Sequence, residues 1–281
     1  MSRPVTAQTL MAGVVGDPVR HSLSPVIHNA WIQAAGLDGV YLALPATAES
    51  FPSLIRGLAG GAAQGVNVTI PFKEQAAGLA DVRSVAVERA GAANLLVFRD
   101  GQVRADNTDG VGLLAALGQA GFNPFSPVVV LGAGGAARGA VRALLGAGVP
   151  SIRLINRSQE RARAIAVLDG RISALGWGEA RQALDGVAAV INATSLGMAG
   201  QPALELALDH APATSVVMDM VYRPLETPLL RAAKARGNPV ADGLSMLIAQ
   251  ARPSFEAIFG RSPPAEVDVR ALCEQALGDP G

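Results

Sequence analysis

Cysteine is nearly absent from this sequence of 281 residues, and neither sign of charge is in excess. A single cysteine cannot form an internal disulfide, which excludes the disulfide-stapled secreted proteins and favours a reducing compartment. Lys and Arg together number 23 and so do Asp and Glu, so no surplus charge is available to hold a nucleic acid or an anionic membrane. Apolar runs stay well short of the ~20 residues that span a bilayer, and the amino terminus lacks a run of signal-peptide length. We therefore expect a cytoplasmic protein with neither a nucleic-acid nor a membrane partner.

Lysine is the other scarce residue, since only Lys73 and Lys234 stand among the 23 basic residues. Codon bias explains the excess of arginine in a simple way. Arginine keeps its proton at any ordinary pH, whereas lysine can hand one over. Lys73, the one lysine of the amino-terminal half, is therefore noted, although codon bias alone accounts for the composition.

Short β-branched runs alternate with longer helical patterns along almost the whole chain. This rhythm is typical of parallel sheets with crossover helices, so the predicted fold class is α/β. The length favours two domains. We assign residues 1–110 to an α/β domain and residues 111–243 to a Rossmann-type, doubly wound nucleotide-binding domain. The tail, residues 244–281, is helical without a strand, and we expect it to pack back on the first domain.

Glycine and proline residues mark turns, linkers and helix ends within this organisation. The step at Asp100-Gly101 predicts a hairpin turn, and the segment 121–127 is the clearest linker by composition. Ser24, followed by Pro25, is interpreted as the N-cap of a helix. Pro253 is expected to kink or break the first helix of the tail.

A glycine-rich turn follows the apolar strand 128–131 and leads into a helix. In such a turn, glycines allow the tight bend and the close approach of a pyrophosphate to a helix N-terminus. The next strand ends at Asn156-Arg157, where an NAD site usually places a carboxylate. Arg157 and Arg161 would instead neutralise a 2′-phosphate, which favours NADP over NAD, although an Arg-rich solvated helix would look the same. The predicted pyrophosphate residues are Gly132, Ala133, Gly134, Gly135, Ala136 and Ala137.

A second loop, residues 192–198, follows the strand 188–191 and includes Thr194. Ligands bind at the carboxyl ends of parallel strands, so we expect this loop to line the nicotinamide side. Taken alone, it could equally be an ordinary turn.

Polar side chains also interrupt the apolar pattern of the first domain. Ser22 and Ser24 suit a carboxylate at a helix N-terminus. Asn67 and Thr69 share one face of the predicted strand 66–70, and Lys73 follows it.

Asp109 closes a turn-forming run that could be a helix cap alone. Brought beside Lys73, however, it would complete the acid–base pair that a carbonyl–alcohol interconversion requires. His21 and His28 have no ligand-spaced partners, so no metal site is predicted, and Cys273 is expected to be a buried, inert thiol.

Nine ordered segments, taken together, resemble the shikimate dehydrogenase family over nearly the whole chain. The segments begin at Gly16, Gly65, Gly91, Asn107, Gly132, Asn156, Asn192, Asp219 and Asp242, and they include His21-Ser-Leu-Ser24-Pro25, Asn67-Val-Thr69, Asn107-Thr-Asp109-Gly110 and Asn192-Ala-Thr-Ser195.

The resemblance implies reduction of 3-dehydroshikimate to shikimate with NADPH, a step towards aromatic amino acids, and it assigns roles to individual residues. The implied catalytic pair is Lys73 and Asp109. On the substrate, the resemblance places Ser22 and Ser24 at the carboxylate, and Asn67, Thr69, Asn94, Tyr222 and Gln250 at the hydroxyls and ring edge. On NADP, it places Gly132–Ala137 at the pyrophosphate, Asn156, Arg157 and Arg161 at the 2′-phosphate, and Met220 and Gly243 near the nicotinamide.

Three positions depart from the family pattern, namely Leu95, Ala105 and Ser245, where threonine, glycine and glycine are usual. None removes a catalytic group. They leave open a quinate/shikimate dehydrogenase that uses NAD or NADP, and a catalytically silent NADPH-binding regulator is a further alternative. A homodimer also stays open.

Overall fold

Two six-stranded sheets organise the described chain, each at the centre of a separate compact unit. The structure is a computed structural model and describes residues 4–278. One unit, called the N-terminal unit, contains the residues up to Thr108 and those from Gln250 onward. The other, called the second unit, is Asp109–Ala249. The helical tail from Gln250 therefore packs with the N-terminal unit, as predicted.

The strands and helices follow one another along the chain in the predicted alternation. The strands are β1 (Leu10–Gly16), β2 (Gly39–Pro45), β3 (Gly65–Val68), β4 (Val82–Arg83), β5 (Leu95–Arg99), β6 (Gln102–Asp106), β7 (Val128–Leu131), β8 (Ile152–Ile155), β9 (Ile172–Leu175), β10 (Ala189–Asn192), β11 (Val216–Asp219) and β12 (Val240–Ala241). The helices are α1 (Ser24–Ala34), α2 (Phe51–Gly57), α3 (Lys73–Leu79), α4 (Val85–Ala90), α5 (Asp109–Gln119), α6 (Gly135–Gly146), α7 (Gln159–Ala166), α8 (Pro228–Ala235), α9 (Gly243–Phe259) and α10 (Val269–Gly278). Among the described helices, none has the length and apolar character needed to cross a bilayer.

The sheet of the N-terminal unit is mixed, in the order β2-β1-β3-β5-β6-β4. β1, β2 and β3 are parallel, and β5 is antiparallel to both β3 and β6. The predicted hairpin joins β5 to β6, with Asp100 at φ 53° and Gly101 at φ 73°, the left-handed pair that such a turn requires. Because β5 runs back from the end of β3, the end of β3 and the start of β5 meet at one edge.

The sheet of the second unit is parallel throughout, in the order β12-β11-β10-β7-β8-β9. The order reverses between β7 and β10, which is the switch point where doubly wound sheets bind ligands. Val128 and Val130 pack in one apolar cluster, while Val129 and Leu131 pack in another. β7 is thus covered on both faces, which explains its unbroken apolar run.

Two local predictions are corrected by the structure. Ser24 is the first residue of α1 and not its N-cap, which is Leu23 without a side-chain capping bond. Pro253 does not break α9, because buried side chains on both sides of it, including Ala251 and Phe255, hold the helix in place. Their burial outweighs the ~3 kcal/mol that an internal proline costs.

The segment 121–127, predicted as a linker by its composition, lies inside the second unit and joins α5 to β7. Helix α5 packs on α6, and its Leu113 and Leu117 share an apolar cluster with Val128. The division therefore comes before α5, and the glycines and prolines of 121–127 mark a surface loop.

Candidate active site

One edge of the N-terminal sheet collects the polar residues that interrupt the apolar pattern. The carboxyl ends of the parallel strands β1 and β3 lie there, together with the start of the antiparallel β5. The residues are Ser22 and Ser24 after β1, Asn67 and Thr69 at the end of β3, Lys73 at the start of α3, Asn94 before β5, and Gln250 in α9.

Thr69 sits directly beside the turn that follows β1. The predicted strand over it stops at Val68, but the Thr69 backbone N still donates to the Val15 carbonyl at 2.9 Å. A Cβ on Gly16 would lie 2.3 Å from Cγ2 of Thr69, so only glycine allows this approach. The same turn leads to Ser22, whose Oγ accepts from the Ser24 backbone N at 3.2 Å.

Asn67 is held by three hydrogen bonds. Its Oδ1 accepts from the Tyr41 hydroxyl at 2.8 Å, and its Nδ2 donates to the Asn94 carbonyl at 3.1 Å and to Ser254 Oγ at 3.0 Å. The two Nδ2 hydrogens are therefore both used. What the Asn67 amide can still offer is the second lone pair of its Oδ1, an acceptor for a hydroxyl.

Asn94 connects this edge to the loop between β6 and α5 and to helix α9. Its Nδ2 donates to Thr108 Oγ1 at 2.9 Å and to Gln250 Oε1 at 2.8 Å, and its Oδ1 accepts from the Thr108 backbone N at 2.8 Å. Gln250 accepts from Asn94 through Oε1. Its Nε2, which is a donor, therefore points away from Asn94. The Asn94 side chain itself is buried.

Lys73 begins α3 and is half-buried. Its carbonyl accepts from the Ala93 backbone N at 2.8 Å, which ties its backbone to the residue next to Asn94. The structure thus brings Lys73 to the same sheet edge as Asn67 and Asn94. Asp109 and Tyr222 belong to the second unit, where Asp109 begins α5.

Behind Asn67 lies an aromatic cluster that the sequence patterns do not reveal. His28 stacks on Tyr41 with ring centroids 4.1 Å apart, and Trp31 and Phe255 adjoin it. Burial lowers the pKa of His28 to about 3, so its imidazole is neutral. In the described residues, no group of His, Cys, Asp and Glu side chains is arranged to hold a metal ion.

In the second unit, the predicted phosphate cradle has the geometry of a dinucleotide turn. Gly132 has φ 109°, and a Cβ on it would lie 3.0 Å from Thr194 Cγ2. Gly134 is the N-cap of α6 and gives it no side-chain cap, while Gly135 and Ala136 are exposed. Backbone N–H groups at this helix start are thus available to an anion.

A cavity of about 560 Å³ lies beside the end of β8. It is lined by Arg157 and Arg161, with Ser158, Glu160 and Ala164, so the structure brings the two predicted arginines together. Asn156 orders the turn, since its Nδ2 donates to the Ser158 carbonyl at 2.8 Å. Two guanidinium groups without a carboxylate at the strand end fit a 2′-phosphate and therefore NADP.

The loops after β10 and β11 are tied together by Asp219, a residue that no sequence motif assigns to the site. Its buried carboxylate accepts from Asn192 Nδ2 at 2.9 Å and from Thr227 Oγ1 at 2.7 Å. Burial raises the pKa of Asp219 above its usual value. Gly243 packs against Met220, where a Cβ would lie 2.3 Å from the Met220 carbonyl oxygen.

Two family descriptions match the chain. Residues 14–96 match the shikimate dehydrogenase substrate binding domain, and residues 119–203 match shikimate / quinate 5-dehydrogenase. The first range lies in the N-terminal unit and the second lies in the second unit.

Individual relatives extend the match to nearly the whole chain. The shikimate dehydrogenase (NADP(+)) of Caulobacter vibrioides is 51% identical over 99% of this chain and 100% of its own. The crystal structure of shikimate 5-dehydrogenase from Thermus thermophilus in complex with NADP(H) and shikimate has a TM-score of 0.85 and 36% identity, covering 95% of this chain and 98% of that one. Quinate dehydrogenase from Corynebacterium glutamicum in complex with NAD has a TM-score of 0.86 at 27% identity. The match covers 96% of this chain and 99% of that one. With such identity over both units, the chain belongs to the shikimate dehydrogenase family.

Proposed function

We propose that the protein catalyses the reversible NADPH-dependent reduction of 3-dehydroshikimate to shikimate. The observation that carries the proposal is the linked amide cluster of Asn67, Asn94 and Gln250 at one sheet edge. Such a cluster suits a ligand with several hydroxyls, because Asn67 Oδ1 can accept from one hydroxyl while Gln250 Nε2 donates to another. The 51% identical relative, a shikimate dehydrogenase that uses NADP(+), supports the same substrate and cofactor.

In this proposal the remaining polar residues divide the substrate between them. Ser22 and Ser24 donate from their hydroxyls to the carboxylate, and Thr69 binds a ring hydroxyl beside them. Asn67 accepts from a hydroxyl through its free lone pair, and Gln250 donates through Nε2. Asn94 orients Gln250 and borders the ring, and Tyr222 is assigned to the substrate on the family resemblance.

Lys73 is proposed to transfer the proton. Bound NADPH supplies the hydride to the carbonyl carbon. Lys73 then gives a proton to the oxygen that becomes the hydroxyl, and Asp109 orients the ammonium and balances its charge. Shikimate oxidation runs the same steps backwards, with Lys73 as the base.

NADP is preferred to NAD in this proposal because of the arginine-lined cavity. Arg157 and Arg161 would bind the 2′-phosphate, with Asn156 shaping the turn beneath it. Gly132–Ala137 would hold the pyrophosphate, and Thr194, Met220 and Gly243 would border the nicotinamide.

The deciding experiment measures initial rates with shikimate and quinate, each with NADP and with NAD. We expect shikimate with NADP to be oxidised fastest. If the purified protein oxidised shikimate no faster with NADP than without a cofactor, the proposal would fail, and the silent NADPH-binding regulator would take its place.

The second candidate, a quinate/shikimate dehydrogenase, is favoured by one observation, the close fold match to quinate dehydrogenase. Equal rates with shikimate and quinate would support it. A homodimeric state and a cytoplasmic location stay predictions.

A further inference from the structure

Asp219 is a buried acidic residue for which the proposed reaction has no use. It ends β11 and has no exposed surface. Its Oδ1 accepts from Asn192 Nδ2 at 2.9 Å and from the Val221 backbone N at 3.0 Å, and its Oδ2 accepts from Thr227 Oγ1 at 2.7 Å. All three partners are neutral donors.

Such a carboxylate is costly to bury without a cation, and its raised pKa expresses that cost. Thr227 is the N-cap of α8, and its Oγ1 accepts from the Leu230 backbone N at 3.3 Å. The positive end of α8 therefore faces the carboxylate and offsets part of the cost. The reason for this costly burial lies in the two loops that the three hydrogen bonds of Asp219 hold in place.

Through Asn192, the carboxylate controls the loop after β10. Asn192 is fully buried, and its Nδ2 also donates to the Leu196 carbonyl at 3.1 Å. Its Oδ1 accepts from Thr194, both from the backbone N at 3.0 Å and from Oγ1 at 2.7 Å. Thr194 is thereby fixed beside Gly132 of the phosphate cradle.

Through Val221, the same carboxylate controls the loop after β11. The backbone N of Met220 donates to the Asn192 carbonyl at 3.1 Å. The backbone of the next residue, Val221, is held by its own N–H bond to Asp219 Oδ1. Its carbonyl packs against Gly243 so closely that no side chain would fit there. The Met220 backbone has no freedom to shift alone.

We propose that Asp219 is a positioning residue for hydride transfer, since it joins Asn192, Val221 and Thr227 into one network that fixes the loops bearing Thr194 and Met220. The proposal rests on the proposed function, because those two residues border the nicotinamide only if NADP binds as described. The network thus positions residues beside the nicotinamide half of the cofactor. The adenosine half is bound at β8 and α7, which the network does not join.

The test separates the two halves of the cofactor. NADPH binding is measured by fluorescence titration and 2′,5′-ADP binding by calorimetry, for the wild type and for Asp219→Ala. We expect Asp219→Ala to lower kcat for shikimate oxidation on the order of 100-fold, since a small misplacement of reacting groups costs that much. NADPH should bind several-fold more weakly. The dissociation constant of 2′,5′-ADP should change less than about twofold, because its site at β8 and α7 is separated from β10 and β11 by β7 and, within the described residues, shares no hydrogen bond with the network.

Thr227 provides a second, milder pair of variants should Asp219→Ala not fold. Thr227→Val removes the hydroxyl donor at constant shape and should lower kcat, whereas Thr227→Ser restores the donor and should recover it. Asp209→Asn, an exposed carboxylate of the same unit paired with Arg181, is the matched control and should behave as the wild type.

Two outcomes would overturn the proposal. One is wild-type turnover in both Asp219→Ala and Thr227→Val. The other is an equal loss of NADPH and 2′,5′-ADP affinity, which would show a general disruption of the second unit. A wild type inactive towards shikimate would instead reject the proposed function, while the comparison of NADPH with 2′,5′-ADP would still report on the network.

Discussion

At the scale of single residues, hydrogen bonds among side chains decide which atoms the site can offer. Tyr41 donates to Asn67 Oδ1, so the Asn67 amide cannot flip without leaving two donors face to face. Asn94 likewise fixes the amide of Gln250. Residues behind the ligand-facing groups therefore determine the pattern of donors and acceptors.

Replacement of Tyr41 by phenylalanine should show this effect. Tyr41→Phe removes one buried hydrogen bond and should lower the free energy of unfolding by about 1 kcal/mol. The Tyr41 backbone keeps both bonds to Asn29, so the ring stays in place. We expect KM for shikimate to rise while KM for NADP stays constant. Denaturant unfolding and steady-state kinetics measure the two effects, and an unchanged KM for shikimate would contradict the orienting role.

Replacement of Lys73 by methionine tests proton transfer. Lys73→Met should lower kcat by about 10²- to 10⁴-fold, the usual contribution of a general acid or base. NADPH affinity should hardly change, because the predicted cofactor residues lie in the second unit.

The chain has one matched control for that experiment. Lys234, the other lysine, is exposed on α8 and pairs with Glu226 at 2.8 Å. Lys234→Met should leave kcat unchanged. Near-normal turnover in Lys73→Met would show that the proton travels by another route.

Sequence reasoning found the residues that bear recognisable chemistry and overlooked those that support them. Lys73, Asn67 and Asn94 stand out in motifs. Ser254 follows Pro253 in an apolar helical pattern, and Asp219 ends an apolar strand. Their partners are distant in sequence, as with the bond from Asn67 to Ser254, so no local spacing could have revealed the networks.

At the scale of elements, close approach between neighbouring loops shapes the substrate edge. Gly16→Ala would place a Cβ 2.3 Å from Thr69 Cγ2 and 3.1 Å from the Ile70 carbonyl. We expect it to lower the free energy of unfolding by about 1–3 kcal/mol and to raise KM for shikimate, since Thr69 must move.

The matched control is Gly78→Ala in α3, where a Cβ meets open space. There the same substitution should raise stability by up to about 1 kcal/mol, because alanine favours helix more than glycine does. Thermal unfolding of the two variants compares them directly, and equal effects would refute the steric argument.

The turn from β8 into α7 should control cofactor choice. Arg157→Ala removes one guanidinium from the 560 Å³ cavity and should lower kcat/KM with NADP about 10- to 150-fold, the range for a charged hydrogen bond. The value with NAD should stay nearly constant. Arg163→Ala, on the same helix but bonded to Gln159, is the control. Parallel losses with both cofactors would disprove recognition of the 2′-phosphate.

The apolar pattern of the sequence predicted the elements that are buried on both sides or strongly periodic. β7 was predicted over its full length because its two faces are both covered. β9 was missed, since it is a short edge strand whose Ser173 faces solvent. Edge strands need fewer apolar residues, so composition marks them poorly.

At the scale of the whole molecule, one buried histidine should make stability depend on pH. The pKa of His28 is about 3 in the folded protein, against an ordinary value of 6.5. The unfolded chain binds the extra proton between these values, so stability is full above pH 6.5 and declines as the pH falls towards 3. The contribution of His28 has a slope of up to about 1.4 kcal/mol per pH unit.

His28→Phe should flatten the acid limb of a stability curve measured by denaturant unfolding. Phenylalanine keeps a ring against Tyr41 and Trp31 but cannot bind a proton. His21→Ala, at an exposed position, serves as the control for acid effects from other groups. An acid limb equally steep in the wild type and in His28→Phe would assign the loss to those other groups.

The division of the chain has a consequence for its synthesis on the ribosome. The second unit is continuous, Asp109–Ala249, so all of its strands have been synthesised before translation reaches α10. The N-terminal unit begins first but must wait for its last segment, because Phe255 of α9 packs against Trp31 of α1, and α10 also packs on α1. The half of the protein that is made first is therefore completed last, and its aromatic cluster stays open in the nascent chain until the final helices are released.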